Sequence, residues 1–380
     1  MYFERQAQQQ AGTFCPCLLS ETFQHPTANR RLLVAGLLLL QCMDNKAAYL
    51  LGGTPARLLL SLIVVVSHLG SLTGMYRNKN LFDADFAVSC FFVLSGFAMM
   101  HSYGKLQAHI HGWKAFYIQR FFRIMLPVWV LVALQVVLLF AVSVLPLSQY
   151  LNGTTGKYVL ANASLLNFLQ QSLPGVFDNN GSAVVNGSLW TLKIEMCFYA
   201  AFPLLFLLAK ANRIQWLWLL WALSVAYRLL LHQSHPVMSY QLPGQLYFFI
   251  SGMLLYHYGW HQQCRKWIIA IGWLWFLKNC LLGYHIAETP VAFPLILLAF
   301  CHVLQRADGL LKKHDYSFTV YLLHWPIIQV AVHVFFNDGQ TIAGVGFVAI
   351  VLAVSSWLFK TQVEDKAMQM GKVLSHRFLQ

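Results

Sequence analysis

Residues 57–68 read RLLLSLIVVVSH, an arginine and a histidine enclosing ten uncharged, mostly aliphatic residues. Continued to residue 75, the stretch reaches roughly the 20 residues a helix needs to cross a bilayer. Similar apolar stretches recur along the chain, and the expected spans are 57–75, 86–103, 126–146, 190–209, 214–231, 242–258, 267–283, 290–305, 316–336 and 341–360. Trp190, Trp216, Trp218, Trp267 and Trp357 lie near their ends, where interfacial aromatic belts form. The pattern predicts an all-α polytopic membrane helix bundle of about ten transmembrane helices.

The composition agrees. Of 380 residues, 58% are hydrophobic and 10% charged, against about 25% charged in an ordinary globular domain. A soluble fold cannot cover that much apolar surface, so the bilayer acts as solvent. The net charge of +13 therefore marks cytoplasmic segments rather than nucleic-acid binding. Of the 26 Lys and Arg residues, only Arg77, Lys79 and Lys157 fall in outer segments when the N-terminus is placed inside. Lys193, Arg228 and Lys278 lie within spans, and all the others lie in inner segments. The positive-inside rule thus places both termini in the cytoplasm.

Residues 1–56 read as a cytoplasmic arm. Within it, 32–43 follows Arg30 and Arg31 like the core of a signal peptide, but has no small-residue cleavage site. At about twelve residues it is short for a span, and a helix lying at the interface is expected. Residues 57–364 form the membrane domain, with an outer loop at 147–189, and 365–380 form a cytoplasmic tail. The loop carries four Asn-x-Ser/Thr triplets, at Asn152, Asn162, Asn180 and Asn186, as an Asn/Gly/Ser-rich segment would by chance. The eight cysteines show no paired CxxC spacing, so neither structural disulfides nor a structural metal is expected.

Ionisable groups inside the membrane are costly, and each asks for a reason. The eleven-residue step from Arg57 to His68 is close to three helical turns, so both project from one face about 16 Å apart. Arg57 then lies at the cytoplasmic boundary and His68 near the midplane. Such a histidine either packs against a neighbouring carbonyl or does chemistry. Arg120 and Arg123 share a face just before Pro127. A basic pair there sets topology and touches lipid headgroups, or grips phosphate bidentately. Glu195 and Tyr199, four apart, can face one cavity. His324 enters its span from the inside, and Pro326 should free backbone carbonyls beside it. Glu364 alone reads as a solvated acid at the inner surface.

In order and wording, these residues resemble the acyltransferase-3 family of integral membrane acyltransferases, which includes bacterial O-acetylases of surface polysaccharides. The R-x10-H element matches Arg57 and His68, and FFVLSGF matches Phe91–Phe97, with Ser95 inside it. The R-x-x-R pair before a proline matches Arg120, Arg123 and Pro127. The W-S-L-x-x-E-x-x-F-Y element appears as Trp190, Thr191 in place of Ser, Glu195, Phe198 and Tyr199. The Y-S-x-Y-L-x-H-x-P element matches Tyr316, Ser317, Tyr321, His324 and Pro326, with one extra residue before Tyr321, and a terminal V-E matches Val363 and Glu364. Ser89 stands where many relatives have Asp, and Asp365-Lys366 replaces Lys-Pro.

The resemblance implies a cytoplasmic acyl-CoA donor, most often acetyl-CoA, no bound cofactor, and a saccharide acceptor, free or polyprenyl-linked, outside the bacterial inner membrane. It implies donor phosphates held by Arg120 and Arg123, with Arg57 assisting. His68 would act as general base, Glu195 would orient it or bind the acceptor, and His324 would be a second base or an oxyanion donor. Ser95, Trp190, Tyr199, Tyr316 and Glu364 would support the site. The rival reading is a flippase or exporter of a lipid-linked saccharide, with the same residues as a proton relay.

Overall fold

The computed structural model describes residues 50, 52–75, 83–106, 109–209, 213–260, 266–311 and 315–379. The expected interfacial helix at 32–43 lies outside the described residues. Among those described there is no strand, and the membrane domain is an all-α bundle. Its helices are α1 (Gly53–Thr73), α2 (Ala84–Leu106), α3 (Gly112–Leu139), α4 (Gly153–Ala163), α5 (Trp190–Leu208) and α6 (Ile214–Leu231). There follow α7 (Leu242–His257), α8 (Lys266–Leu282), α9 (Thr289–Leu304), α10 (Ser317–Ala331), α11 (Thr341–Phe359) and α12 (Asp365–His376).

Every expected span meets a helix, but eight of the ten are long and apolar enough to cross a membrane. The other two, α7 and α8, have 16 and 17 residues, about 24–26 Å at the α-helical rise, short of the roughly 30 Å hydrocarbon core. Buried residues fill α7 from Tyr247 through Leu255, so its length is matched to its neighbours rather than to lipid. Both eight and ten are even, which keeps the two ends of the bundle on one side.

The close packing of α2 and α7 explains the glycine of FFVLSGF. A Cβ on Gly96 would collide with the Phe249 carbonyl, and one on Gly252 with the Val93 carbonyl and Phe97 N. Small residues let membrane helices approach backbone to backbone. Beside this contact Phe198 of α5 stacks on Phe249 at 4.4 Å and takes the edge of Phe92 at 5.2 Å.

Two boundaries differ from expectation. Helix α3 starts at Gly112, not near 126, so Pro127 lies inside it. The amphipathic turns carrying Arg120 and Arg123 are its own first half. The expected tail also folds: α12 continues α11 through a wide π-helical turn at Lys360–Glu364. Its Ala367, Gly371 and Ser375 repeat every four residues and are buried. Gly371 meets Phe122 of α3, and Gln119 Nε2 donates to Ser375 Oγ at 2.9 Å.

The outer loop is a built structure. Asn152 Oδ1 caps α4 by accepting from Thr154 N and Thr155 N, and Asn162 Nδ2 donates to the carbonyls of Tyr158 and Gln170. Leu165 and Phe177 take φ of 61° and 62°, a left-handed conformation that non-glycine residues hold only when packing enforces it. Both are buried.

Candidate active site

Helices α1 and α10 run parallel, and their register assembles the polar centre. Arg57 meets Asp315, with Nη2 2.9 Å from Oδ2 and Nε 3.0 Å from the same oxygen. One turn on, Ser61 Oγ donates to the Ser317 carbonyl at 2.8 Å. At the far end His68 Nδ1 lies 2.8 Å from His324 Nε2, with the two rings end to end and nearly coplanar, 5° apart with centroids at 5.1 Å. One side-by-side contact thus places an ion pair and a histidine pair about 16 Å apart along the same seam.

The hydrogen bonds settle which nitrogen carries which proton. His324 Nδ1 lies 2.7 Å from the Tyr321 carbonyl oxygen, which only accepts, so Nδ1 is the N–H. In a neutral His324 ring Nε2 then holds the lone pair, and His68 Nδ1 donates to it. The free lone pair of His68 is therefore on Nε2, away from His324. Trp325 closes against His68 edge-on, with ring centroids 4.7 Å apart. Helix α1 begins earlier than expected, and His68 stands five residues before its end at Thr73, about 8 Å along the axis. It stands in the outer half of α1.

Pro326 acts as anticipated. It has no N–H, so the Leu322 carbonyl one turn back loses its helical donor, and Asn186 Nδ2 of the outer loop donates to it at 3.1 Å. The loop is tied to α10 twice more. Asn180 Nδ2 donates to the Gln329 carbonyl at 3.0 Å, and Gln329 Nε2 donates to the carbonyls of Ser182 and Val184, each at 2.7 Å. Trp325 Nε1 also donates to the Val184 carbonyl, at 3.0 Å. Residues 180–188 therefore fasten onto α10 on either side of His324. Asn180 and Asn186, which the sequence offers as chance triplets, are two of the fastenings.

Glu195 does not touch His68. It accepts a short hydrogen bond from the Tyr199 hydroxyl, and it acts electrostatically on Arg120 and Arg123. Arg120 Nη2 donates to Ser102 Oγ at 2.6 Å, and its guanidinium stacks 5.5 Å from the rings of Phe116 and Tyr199. Arg123 lies in the field of Glu195, Glu364 and Asp315. With α3 starting at Gly112, the two arginines stand about 12 and 16 Å into the helix. The orienting partner of His68 is His324, and both nitrogens of His324 are engaged, which leaves it no lone pair for a second base.

The supporting residues divide between two levels. Thr191 Oγ1 meets the Tyr321 hydroxyl at 2.7 Å, joining the Trp190 element to the histidine element. Phe91 of FFVLSGF packs edge-on to Tyr321 at 5.9 Å, whereas Ser95 Oγ faces Met99 Sδ at 3.9 Å. Trp190 sets its edge to Tyr240 at 6.3 Å, and the Tyr316 carbonyl accepts from Thr319 Oγ1 at 3.0 Å. Glu364 is not a solvated acid: it is 4% exposed and pairs with Lys360 Nζ at 3.2 Å. Asp315, Trp325 and Lys360 have no assigned place in the sequence reading. Asp315 could have been sought as an acid just before Tyr316-Ser317, where parallel helices would face it to Arg57. Burial pushes the Asp315 carboxyl up, but Arg57 and the Ser317 hydroxyl and N–H outweigh it, so it titrates below its ordinary value.

Fold and centre together define a polytopic membrane protein with a histidine pair and half-buried arginines, a class shared by membrane transferases and proton-coupled carriers. Comparison with known proteins separates the two. The family model described as an acyltransferase domain matches residues 56–360, and the chain belongs to this acyltransferase-3 family of integral membrane acyltransferases. It is also similar to Nodulation protein 10 of Rhizobium leguminosarum bv. viciae, 25% identical over 355 residues that cover 82% of this chain and 90% of that protein. No solved structure matches the chain.

Proposed function

We infer that the chain transfers an acyl group, with acetyl as the expected case, from cytoplasmic acyl-CoA to a hydroxyl of an extracytoplasmic or lipid-linked saccharide across the bacterial inner membrane. The observation that carries this reading is the proton order Tyr321 carbonyl, His324, His68, which leaves a lone pair on His68 Nε2 in the outer half of α1. That nitrogen takes the proton of the acceptor hydroxyl as its oxygen attacks the thioester carbonyl carbon. The imidazolium formed on His68 is held by its Nδ1–H bond to His324 Nε2. Collapse of the tetrahedral intermediate breaks the C–S bond, and the departing thiolate takes the proton back from Nε2. No acyl-enzyme is needed.

The donor enters from the inner side. Arg120 and Arg123, on one face of α3, hold the phosphates, and the thin pantetheine arm carries the thioester along the α1–α10 seam. Arg57 is tied to Asp315 and steadies the seam's inner end rather than serving as a free phosphate ligand. Glu195 and Glu364 hold the arginine pair in place between donors. Lipid fills the remaining apolar surface.

His68→Ala should abolish acceptor-dependent release of free CoA thiol while the protein still inserts and purifies at wild-type yield. Near wild-type release by the purified variant would remove His68 from the chemistry. In the host, mass spectrometry of surface glycans should lose the acetyl increment when the variant replaces the native protein. A flippase would release no thiol at all.

A further inference from the structure

A second polar cluster lies at the outer ends of α2, α6 and α8, apart from the histidine pair, and the transfer chemistry above does not use it. Arg228, in the last turn of α6, is 1% exposed, and its Nη2 pairs with Asp85 Oδ2 at 3.2 Å. Its guanidinium lies 4.3 Å over the Tyr240 ring and 5.8 Å over Phe248. The Tyr240 hydroxyl donates to Asp85 Oδ2 at 3.2 Å. The Tyr284 hydroxyl donates to Asp83 Oδ2 at 2.9 Å and lies 3.4 Å from Asp85 Oδ2. Three polar side chains from three segments thus converge on the carboxyls of Asp83 and Asp85.

Three observations separate this cluster from a plain structural ion pair. Arg228 Nε and Nη1 are buried without an acceptor, and a guanidinium left half satisfied in a dry setting asks for a partner. Asp85 keeps 17% of its side chain exposed beside that buried cation, so the pair opens outward. The cluster also adjoins the histidine pair on two sides. Ala84 N donates to the hydroxyl of Ser67, the neighbour of His68, at 3.0 Å. From the other side Trp190 reaches Tyr240, next to Thr191 and its bond to Tyr321.

We propose that Asp83, Asp85, Arg228, Tyr240 and Tyr284 form the binding site for the acceptor, an uncharged hydroxyl-rich saccharide, with Trp190 as its apolar wall. This deepens the acyl-transfer reading and rests on it. Carboxylates accept from sugar hydroxyls, while guanidinium and phenol groups donate to them, so the cluster offers both halves of what a hydroxyl needs. Lys193, bound to Gln241 Oε1 at 3.0 Å beside Tyr240, and Arg228 balance the two acids. The near-zero sum favours a neutral glycan over an acidic one. Burial, then the neighbouring Asp85 carboxylate, pushes Asp83 up to about 6, so Asp83 is poised to donate as well as accept.

The test uses the full-length protein, acetyl-CoA as donor, and the methyl glycosides of glucose, galactose and mannose as acceptors. Tyr240→Phe with Tyr284→Phe keeps both rings and removes two hydroxyls. Losing hydrogen bonds of this kind should raise the acceptor KM about tenfold, with the acetyl-CoA KM unchanged. An unchanged acceptor KM, or equal rises for both substrates, overturns the proposal. If the double variant does not fold, Asp83→Asn, outside the helix, is read by the same criterion. If the wild-type protein transfers to none of the three sugars, the acyl-transfer reading is decided by the loss of the acetyl increment from the host glycans with His68→Ala. The site is then judged by saturation-transfer NMR of the same glycosides. A signal that the variant loses supports the site, and equal or absent signals in both proteins overturn it.

Discussion

His324 is fully buried and has both ring nitrogens engaged, so its effect on the reaction passes through His68. The proposed mechanism makes it a positioning residue: its Nε2 selects the His68 tautomer, and its Nδ1 bond to the Tyr321 carbonyl fixes the plane of the ring. His324→Leu keeps much of the volume but removes the acceptor that holds His68 Nδ1–H. The turnover number should fall about 10²- to 10⁴-fold, the range seen when a base loses its orienting partner, with the KM of both substrates little changed. His324→Gln supplies an amide oxygen that can accept the same hydrogen bond and should recover part of the loss. Equal activities for the two variants would show that His324 only fills space.

The elements depend on contacts too close for any side chain, and these give mutations of opposite sign on one pair of helices. Gly252→Val would drive α7 off the Val93 carbonyl and shift the helix that presents Phe91 to Tyr321. Overpacking should cost about 1–3 kcal/mol, read as a lower thermal midpoint in detergent together with lost activity. Gly104→Ala, in α2 where an added Cβ meets nothing within 4 Å, should instead stabilise by about 0.5–1 kcal/mol. The same contacts show which elements are legible in sequence. Apolar length reveals α1, α2, α5, α6, α9, α10 and α11, because lipid imposes it. It places α7 and α8 within a residue of their ends as well, and it misplaces the start of α3. There Arg120 and Arg123 read as a basic helical face at the inner surface ahead of the span, whereas their turns are the first half of the same helix. His68 and His324 are each legible as costly intramembrane groups. Their pairing is not, since 256 positions separate them and only the parallel docking of α1 and α10 closes the gap. Asp83, Asp85 and Arg228 escape for a similar reason: singly each is an ordinary helix-end charge.

For the whole molecule, the polar groups fall in an order that follows the bilayer normal. Arg57 with Asp315 and Lys360 with Glu364 lie toward the side that the Lys and Arg distribution assigns to the cytoplasm. Arg120 and Arg123 lie in the first half of α3, Glu195 and His68 each stand five residues from the outer ends of α5 and α1, and the Asp85–Arg228 cluster lies at the outer helix ends. The loop at 180–188 fastens onto α10 from outside through Asn180, Asn186 and Gln329. On the proposed reading such a column has a direction, because the groups proposed to hold phosphate lie toward one end and those proposed to hold hydroxyls at the other. Reconstitution in right-side-out vesicles should therefore give acylated methyl glycoside when acetyl-CoA is trapped inside and the sugar is outside. The reverse loading should give none, since neither substrate could reach its own end of the bundle. Detergent-solubilised protein, open at both faces, should work with both substrates in one compartment. Equal product from both vesicle loadings, with orientation checked by protease protection of the outer loop, would show that donor and acceptor share one entrance, and the column would then be a packing arrangement without vectorial meaning.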